Sequence, residues 1–222
     1  VKQMLNIKAP TIVDIRDLKL NIMKKHMDAD PAVRIQYASK YAQTANYWKY
    51  FIGQSEQLVN NKVSDKKQNI ESSFTSWYQK NKLENEYGQA LNLIKNATES
   101  SSKYIIPKVY FQEAVFGSEI ILFMFRNLGK RAPLYNALKA GEGVSIAKEA
   151  LLQKAESYFK DYNATIDENT LASILSLYAN DVSKEFQPEL LLSLNEKYKG
   201  NFKKFASNYF SKTPFKSYEL FK

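Results

Sequence analysis

The sequence contains no cysteine, a single histidine and few chain-breaking residues, with 7 Gly and 6 Pro among 222 positions. Without cysteine there are no disulfides, thiol nucleophiles or cysteine-ligated metals, although an oxidising compartment stays open on this count. Scarce Gly and Pro leave little material for the turns of a strand-rich fold of this length. The lone His26 lies in the run Lys24, Lys25, His26, Met27, Asp28. Its charged neighbours assign it to a solvent-facing helix surface rather than to the base of a Ser–His pair.

Nucleophile elbows are missing too. Gly53, Gln54, Ser55 opens like one, but Glu56 and Gln57 follow where a Gly is required, and Gly117, Ser118, Glu119 fails likewise. P-loop, dinucleotide and Glu-x-x-His patterns are absent. Glu84 with Glu86, and Asp161 with Asp167, sit among lysines and read as solvated faces rather than as a carboxylate metal or glycosidase site. The expectation is a chain with no catalytic residue, no metal ligands and no cofactor of its own.

What is present is ordinary for a packed domain: 44% hydrophobic and 25% charged residues, with a net charge of +9. The length suits one unit. The most apolar stretch, Ala114 to Phe125, is too short for a bilayer span and is interrupted by Gly117, Ser118 and Glu119, which predicts a buried helix and no membrane span. The chain opens at Val1 without a basic region followed by an apolar one, which predicts a mature or excised fragment.

Apolar residues at Ile12, Ile15, Leu18, Ile22 and Met23 share one helix face, and the pattern stops at Ala29, Asp30, Pro31. Asp30 as cap and Pro31 at the first helical position start a long helix over 31–59, roughly 40 Å long at 1.5 Å per residue. Two shorter helices, or one bent one, follow around Ile70 to Tyr78 and Tyr87 to Ala97, with a break at Thr98 to Ser102. Val109 to Leu128, apolar on nearly all sides, reads as one central helix. Gly141 and Gly143 mark a corner between helices at Leu134 to Lys139 and Ser145 to Tyr162. Asp167 caps a helix through Tyr178, Pro188 opens one ending at Gly200, and Phe202 to Phe210 is the last. The fold class is all-α, an irregular bundle of about nine helices in a single domain over 1–222, without repeats.

The distinctive stretch lies in the long helix, from Tyr37 to Tyr50. Tyr37, Tyr41 and Trp48 fall on its apolar stripe and are assigned to packing. Asn46 falls at the stripe's edge, with Ala42 and Gly53 leaving space beside it. An amide there can hold a protonated amine through its oxygen, or make an interhelical hydrogen bond.

The run from Asp30 and Pro31 through Tyr41 and Ala42 to Ala45, Asn46, Tyr47, Trp48 and Lys49 resembles the helical domain of the S46 dipeptidyl-peptidases. Phe159, Lys160, Asp161 and Tyr162, with the following Asp167, are similar to it as well. The resemblance implies a parent protein with a chymotrypsin-like double barrel and a Ser-His-Asp triad, into which this domain is inserted as a cap over the cleft. It implies removal of dipeptides from free N-termini, with Asn46 binding the substrate α-amino group. It also implies a periplasmic or cell-surface location, a homodimeric parent and the barrel as intramolecular partner. The family's Gly-Asn-Ser-Gly nucleophile stretch is missing here, so the triad is expected outside this chain and the isolated chain is expected to be inactive.

Two other readings compete. One is a basic, Tyr-rich nucleic-acid-binding module, disfavoured because the lysines are spread along almost every helix. The other is a helical domain that docks another protein through its aromatic surface.

Overall fold

The computed structural model describes all 222 residues, and every regular element is helical. A π-helical turn at Met4–Lys8 runs into α1 (Ala9–Ala29). Asp30 then turns extended and its carboxylate accepts from the Ala32 amide at 2.8 Å, while Pro31 takes the first helical position. This is the predicted cap, and it starts α2 (Pro31–Asn60), a helix of 30 residues. The order continues with α3 (Val63–Lys80), α4 (Glu84–Tyr87), α5 (Ala90–Ser102), α6 (Ile105–Phe116), α7 (Glu119–Leu128), α8 (Pro133–Ala140) and α9 (Val144–Lys160). It closes with α10 (Ala164–Asp181), α11 (Glu189–Tyr198), α12 (Phe202–Lys212) and α13 (Tyr218–Phe221), with short 3₁₀ turns at Lys184–Phe186 and Pro214–Lys216.

The helices outnumber the expected nine for physical reasons. The apolar stretch read as one central helix is two, α6 and α7, because Ser118 adopts an extended conformation (φ −75°, ψ 124°). A side chain at Gly117 would put its Cβ 2.0 Å from the Glu113 carbonyl oxygen. The break expected at Thr98 to Ser102 does not occur, and α5 runs through it. There the Thr98 hydroxyl donates to the Ile94 carbonyl at 2.7 Å and the Ser102 hydroxyl to that of Thr98 at 2.9 Å, so these side chains bond back onto the helix instead of unwinding it. Gly141 (φ +76°) ends α8 and Gly143 (φ +67°) precedes α9, the predicted corner.

The main core joins α1, α6, α7, α9, α10, α11 and α12 around Ile15, Ile120, Ile174 and Ala155, each fully buried. Burying one such isoleucine contributes roughly 2–3 kcal/mol. A smaller cluster of Leu20, Met23, Tyr37 and Ile166 fastens the first half of α2 to α1 and α10. Between Tyr37 and Val109 only Tyr78 is buried, so the far half of α2 and all of α3 to α5 form an arm with little core. Phe74, Trp77, Tyr78 and Tyr87 hold that arm together, with ring centroids 5.4 to 6.0 Å apart. No helix is long and apolar enough to cross a membrane.

Candidate functional site

The placement of α2 decides where Asn46 points, and polar contacts near its N-terminal end set that placement. The Gln36 amide donates to the carbonyls of Lys160 and Tyr162 at 2.9 and 3.1 Å. The Tyr37 hydroxyl, on a fully buried side chain, donates to Glu119 at 2.6 Å and accepts from the Asn163 amide at 3.1 Å. One turn on, the Lys40 ammonium is held between the Glu119 carboxylate and the Asp161 carbonyl. The sequence reading assigned Tyr37 to packing and missed Glu119 and Lys40, which lie 79 residues apart with no local pattern to link them.

Behind this anchor sits Asp167, only 1% exposed. Its expected place on a solvated face is wrong. The carboxylate accepts from the Glu119 and Ile120 amides at 3.0 and 2.9 Å, and from the Ser118 and Tyr162 hydroxyls at 3.2 Å each. Nor does it cap its own helix. Asn163 does that, accepting from the Thr165 and Ile166 amides at 3.1 Å, while Asp167 caps α7 from across the fold. Burial pushes its carboxyl up to about 6; the Ile120 amide opposes that shift and the charge of Glu119 adds to it. Burial likewise raises the Tyr37, Tyr158 and Tyr162 hydroxyls, with the nearby carboxylates adding to the effect.

A cleft of about 270 Å³ opens between α1, α2 and the start of α7, lined by Arg16, Lys40, Gln43, Thr44, Glu119 and Asp167 among others. Arg16 and Lys19 pair with Glu113 on its α1 side, and the Arg16 guanidinium lies 5.2 Å from the centre of the Tyr47 ring.

Asn46 is exposed on α2. Of the two roles open to its amide, the interhelical hydrogen bond is not made; Gln36, Tyr37 and Lys40 make those contacts. A step of 100° per residue puts Ala42, Lys49, Tyr50 and Gly53 on the same outward strip. Two turns along the same strip, a Cβ built on Gly53 meets nothing within 4 Å. Tyr41 and Trp48 turn inward and pack against the small cluster, as their spacing predicted. His26 is not solvent-facing: it is half-buried, its Nε2 3.1 Å from the Asn169 amide nitrogen. Glu84, Glu86 and Asp161 are exposed, as expected.

The architecture is thus an all-α bundle that displays the free face of one long helix, anchored at one end. A model of the peptidase S46 family matches residues 1–222, and the chain belongs to that family. It is 33% identical over 222 residues to the Asp/Glu-specific dipeptidyl-peptidase of Flavobacterium psychrophilum, covering 100% of this chain and 30% of that protein. It is 32% identical over 203 residues to dipeptidyl-peptidase 7 of Porphyromonas gingivalis, covering 90% of this chain and 27% of that one. The crystal structure of Porphyromonas endodontalis DPP11 in complex with the dipeptide Arg-Glu superposes with a TM-score of 0.77 at 21% identity, over 99% of this chain and 31% of that chain, a likeness of fold. The chain spans less than a third of the length of each of these proteins.

Proposed function

We propose that these 222 residues form the helical, substrate-contacting cap of a serine-type dipeptidyl-peptidase, with Asn46 accepting from the α-ammonium of the bound peptide and the Ser-His-Asp triad on polypeptide outside this chain. The observation that carries the reading is the exposed Asn46 amide on an anchored helix, with open space along its strip at Gly53. Membership of the S46 family and the names of the relatives support the activity.

The chemistry follows from burial of charge. When a cap closes over a cleft, a free N-terminus becomes a buried cation, and leaving it without acceptors costs several kcal/mol. A neutral amide supplies an acceptor without a competing carboxylate, and an acetylated or displaced amine leaves that acceptor unmatched. The catalytic barrel would supply the remaining acceptors, and the cap would limit cleavage to two residues from the end. By itself the chain would be inactive.

The test is dipeptide release by the full-length polypeptide from one peptide presented with a free and with an acetylated N-terminus. Release from the free form alone is the expected result. Equal turnover of both would overturn recognition of the amine, and no dipeptide product from either would overturn the activity.

A further inference from the structure

A second polar cleft, of about 560 Å³, lies where α1, α10 and the start of α12 meet. Lys25 and His26 line it from α1, Asn169 and Ser173 from α10, and Asn201 and Lys203 from the α12 end. No residue of α2 lines it, so it is separate from the Asn46 face, and no carboxylate lines it either. A shallower groove shares Asn201 and Lys203, adds Lys204, and again has no carboxylate. The ion pairs of the chain leave Lys25, Lys203 and Lys204 out.

The sequence supplies the cause. Between Glu196 and Glu219 there is no acidic residue, while Lys197, Lys199, Lys203, Lys204, Lys212 and Lys216 fall in that interval. In this interval the lysines have no carboxylates to balance them, and the fold adds Lys25 from a helix far away in the chain. Gathering unpaired cations around one concavity raises the local potential and attracts an anion.

No arginine lines this cleft, so its charge comes as the compact ammonium groups of lysine. Lysine binds phosphate as a point charge, and hydroxyl and amide groups complete the shell of a tetrahedral oxyanion. The hydrogen bond between His26 and Asn169 fixes both side chains at the wall. The volume lies within the range of pockets that hold a small molecule, so a phosphate can enter with its substituent.

We propose that this cleft binds a phosphate group, with Lys25 and Lys203 supplying charge and Asn169, Ser173 and Asn201 supplying directed hydrogen bonds. The shared chemistry covers a soluble phosphate and the headgroup of an anionic phospholipid.

The test is calorimetric titration of the full-length polypeptide with inorganic phosphate at low salt, for wild type, Lys25→Ala/Lys203→Ala and Lys25→Arg/Lys203→Arg. Saturable binding is expected, about tenfold weaker in the alanine pair, which is about 1.4 kcal/mol, and kept in the arginine pair. Unfolding temperatures measured without phosphate should match, which separates lost binding from lost fold. Co-sedimentation with phosphatidylglycerol vesicles but not phosphatidylcholine vesicles, reversed by phosphate, identifies the lipid source; phosphate binding without vesicle binding identifies a soluble one. Absence of saturation, or equal affinity in the alanine pair, would overturn the site.

Discussion

The Ile120 amide donates to the carboxylate of Asp167 at 2.9 Å, so that a buried side chain 47 residues further along the chain caps α7. The same carboxylate takes the Glu119 amide and the Ser118 and Tyr162 hydroxyls. Glu119, the first residue of the capped helix, in turn meets Tyr37 and Lys40 of α2. Cap and anchor are therefore one continuous network, in which Asp167 is linked to α2 through Glu119.

Asp167→Ala is expected to destabilise the fold by on the order of 3 kcal/mol, since it strands buried donors and removes a helix cap. Asp167→Asn keeps one acceptor oxygen and is expected to lose less. Urea unfolding of the three proteins checks this, and a loss under about 1 kcal/mol for alanine would place the carboxylate outside the stabilising network.

The protonation of Asp167 gives a second expectation. Its carboxyl is raised from 3.8 to about 6 in the folded chain, chiefly by burial. Between those values the folded state holds a proton that the unfolded state has released, so the group's contribution falls as pH rises through that window and levels off above it. The contribution is fully present below 3.8 and lost as pH passes about 6. Measured against Asp167→Asn, in which the other carboxylates cancel, wild type should gain roughly 3 kcal/mol between about pH 7 and pH 3.5. A difference that stays flat across that range would show that the carboxyl titrates normally.

The sequence made the backbone legible where signals are local. Asp30 with Pro31, Gly141 with Gly143, and the stripe from Ile12 to Met23 each act within a turn or two, and each stands where its pattern placed it. Asp167 was unreadable because three of its partners, Ser118 to Ile120, lie 47 to 49 residues away, while Glu168 and Asn169 follow it as on a solvated face. Lys40 and Glu119 were hidden for the same reason. Thr98 to Ser102 misled because hydroxyl side chains favour both turns and back-bonding in helices, and only the surrounding helix chooses. Asn46 was read as an edge position, and the structure sets it on the outward strip of α2 with Ala42, Lys49 and Tyr50.

The glycines of the two neighbourhoods should respond in opposite directions. At Gly117 a Cβ would lie 2.0 Å from the Glu113 carbonyl oxygen and 2.7 Å from the Lys19 ammonium, so Gly117→Ala must shift backbone at the α6–α7 break. A loss of about 2 kcal/mol or more is expected. At Gly53, inside α2, a Cβ meets open space, so Gly53→Ala should stabilise by about 0.5–1 kcal/mol through helix propensity. Thermal unfolding of both variants checks the pair, and a destabilising Gly53→Ala would mean that the surface at Gly53 is not open.

Asn46→Ala tests the proposed recognition role apart from folding. The side chain is exposed and makes none of the anchoring bonds of α2, so its removal should alter unfolding by no more than about 0.5 kcal/mol. Under the proposed function, a hydrogen bond from a substrate ammonium to that amide would be charge-assisted, and its loss should lower kcat/KM for dipeptide release by roughly 1–3 kcal/mol in the full-length polypeptide. Tyr37→Phe gives the complementary pattern, because it cuts the bridge between Glu119 and Asn163 at the anchored end of the helix. That variant should lose about 1–2 kcal/mol of stability, and should affect kcat/KM only as far as α2 loosens. Unchanged kinetics in Asn46→Ala alongside unchanged stability would remove the amide from the substrate's charged end.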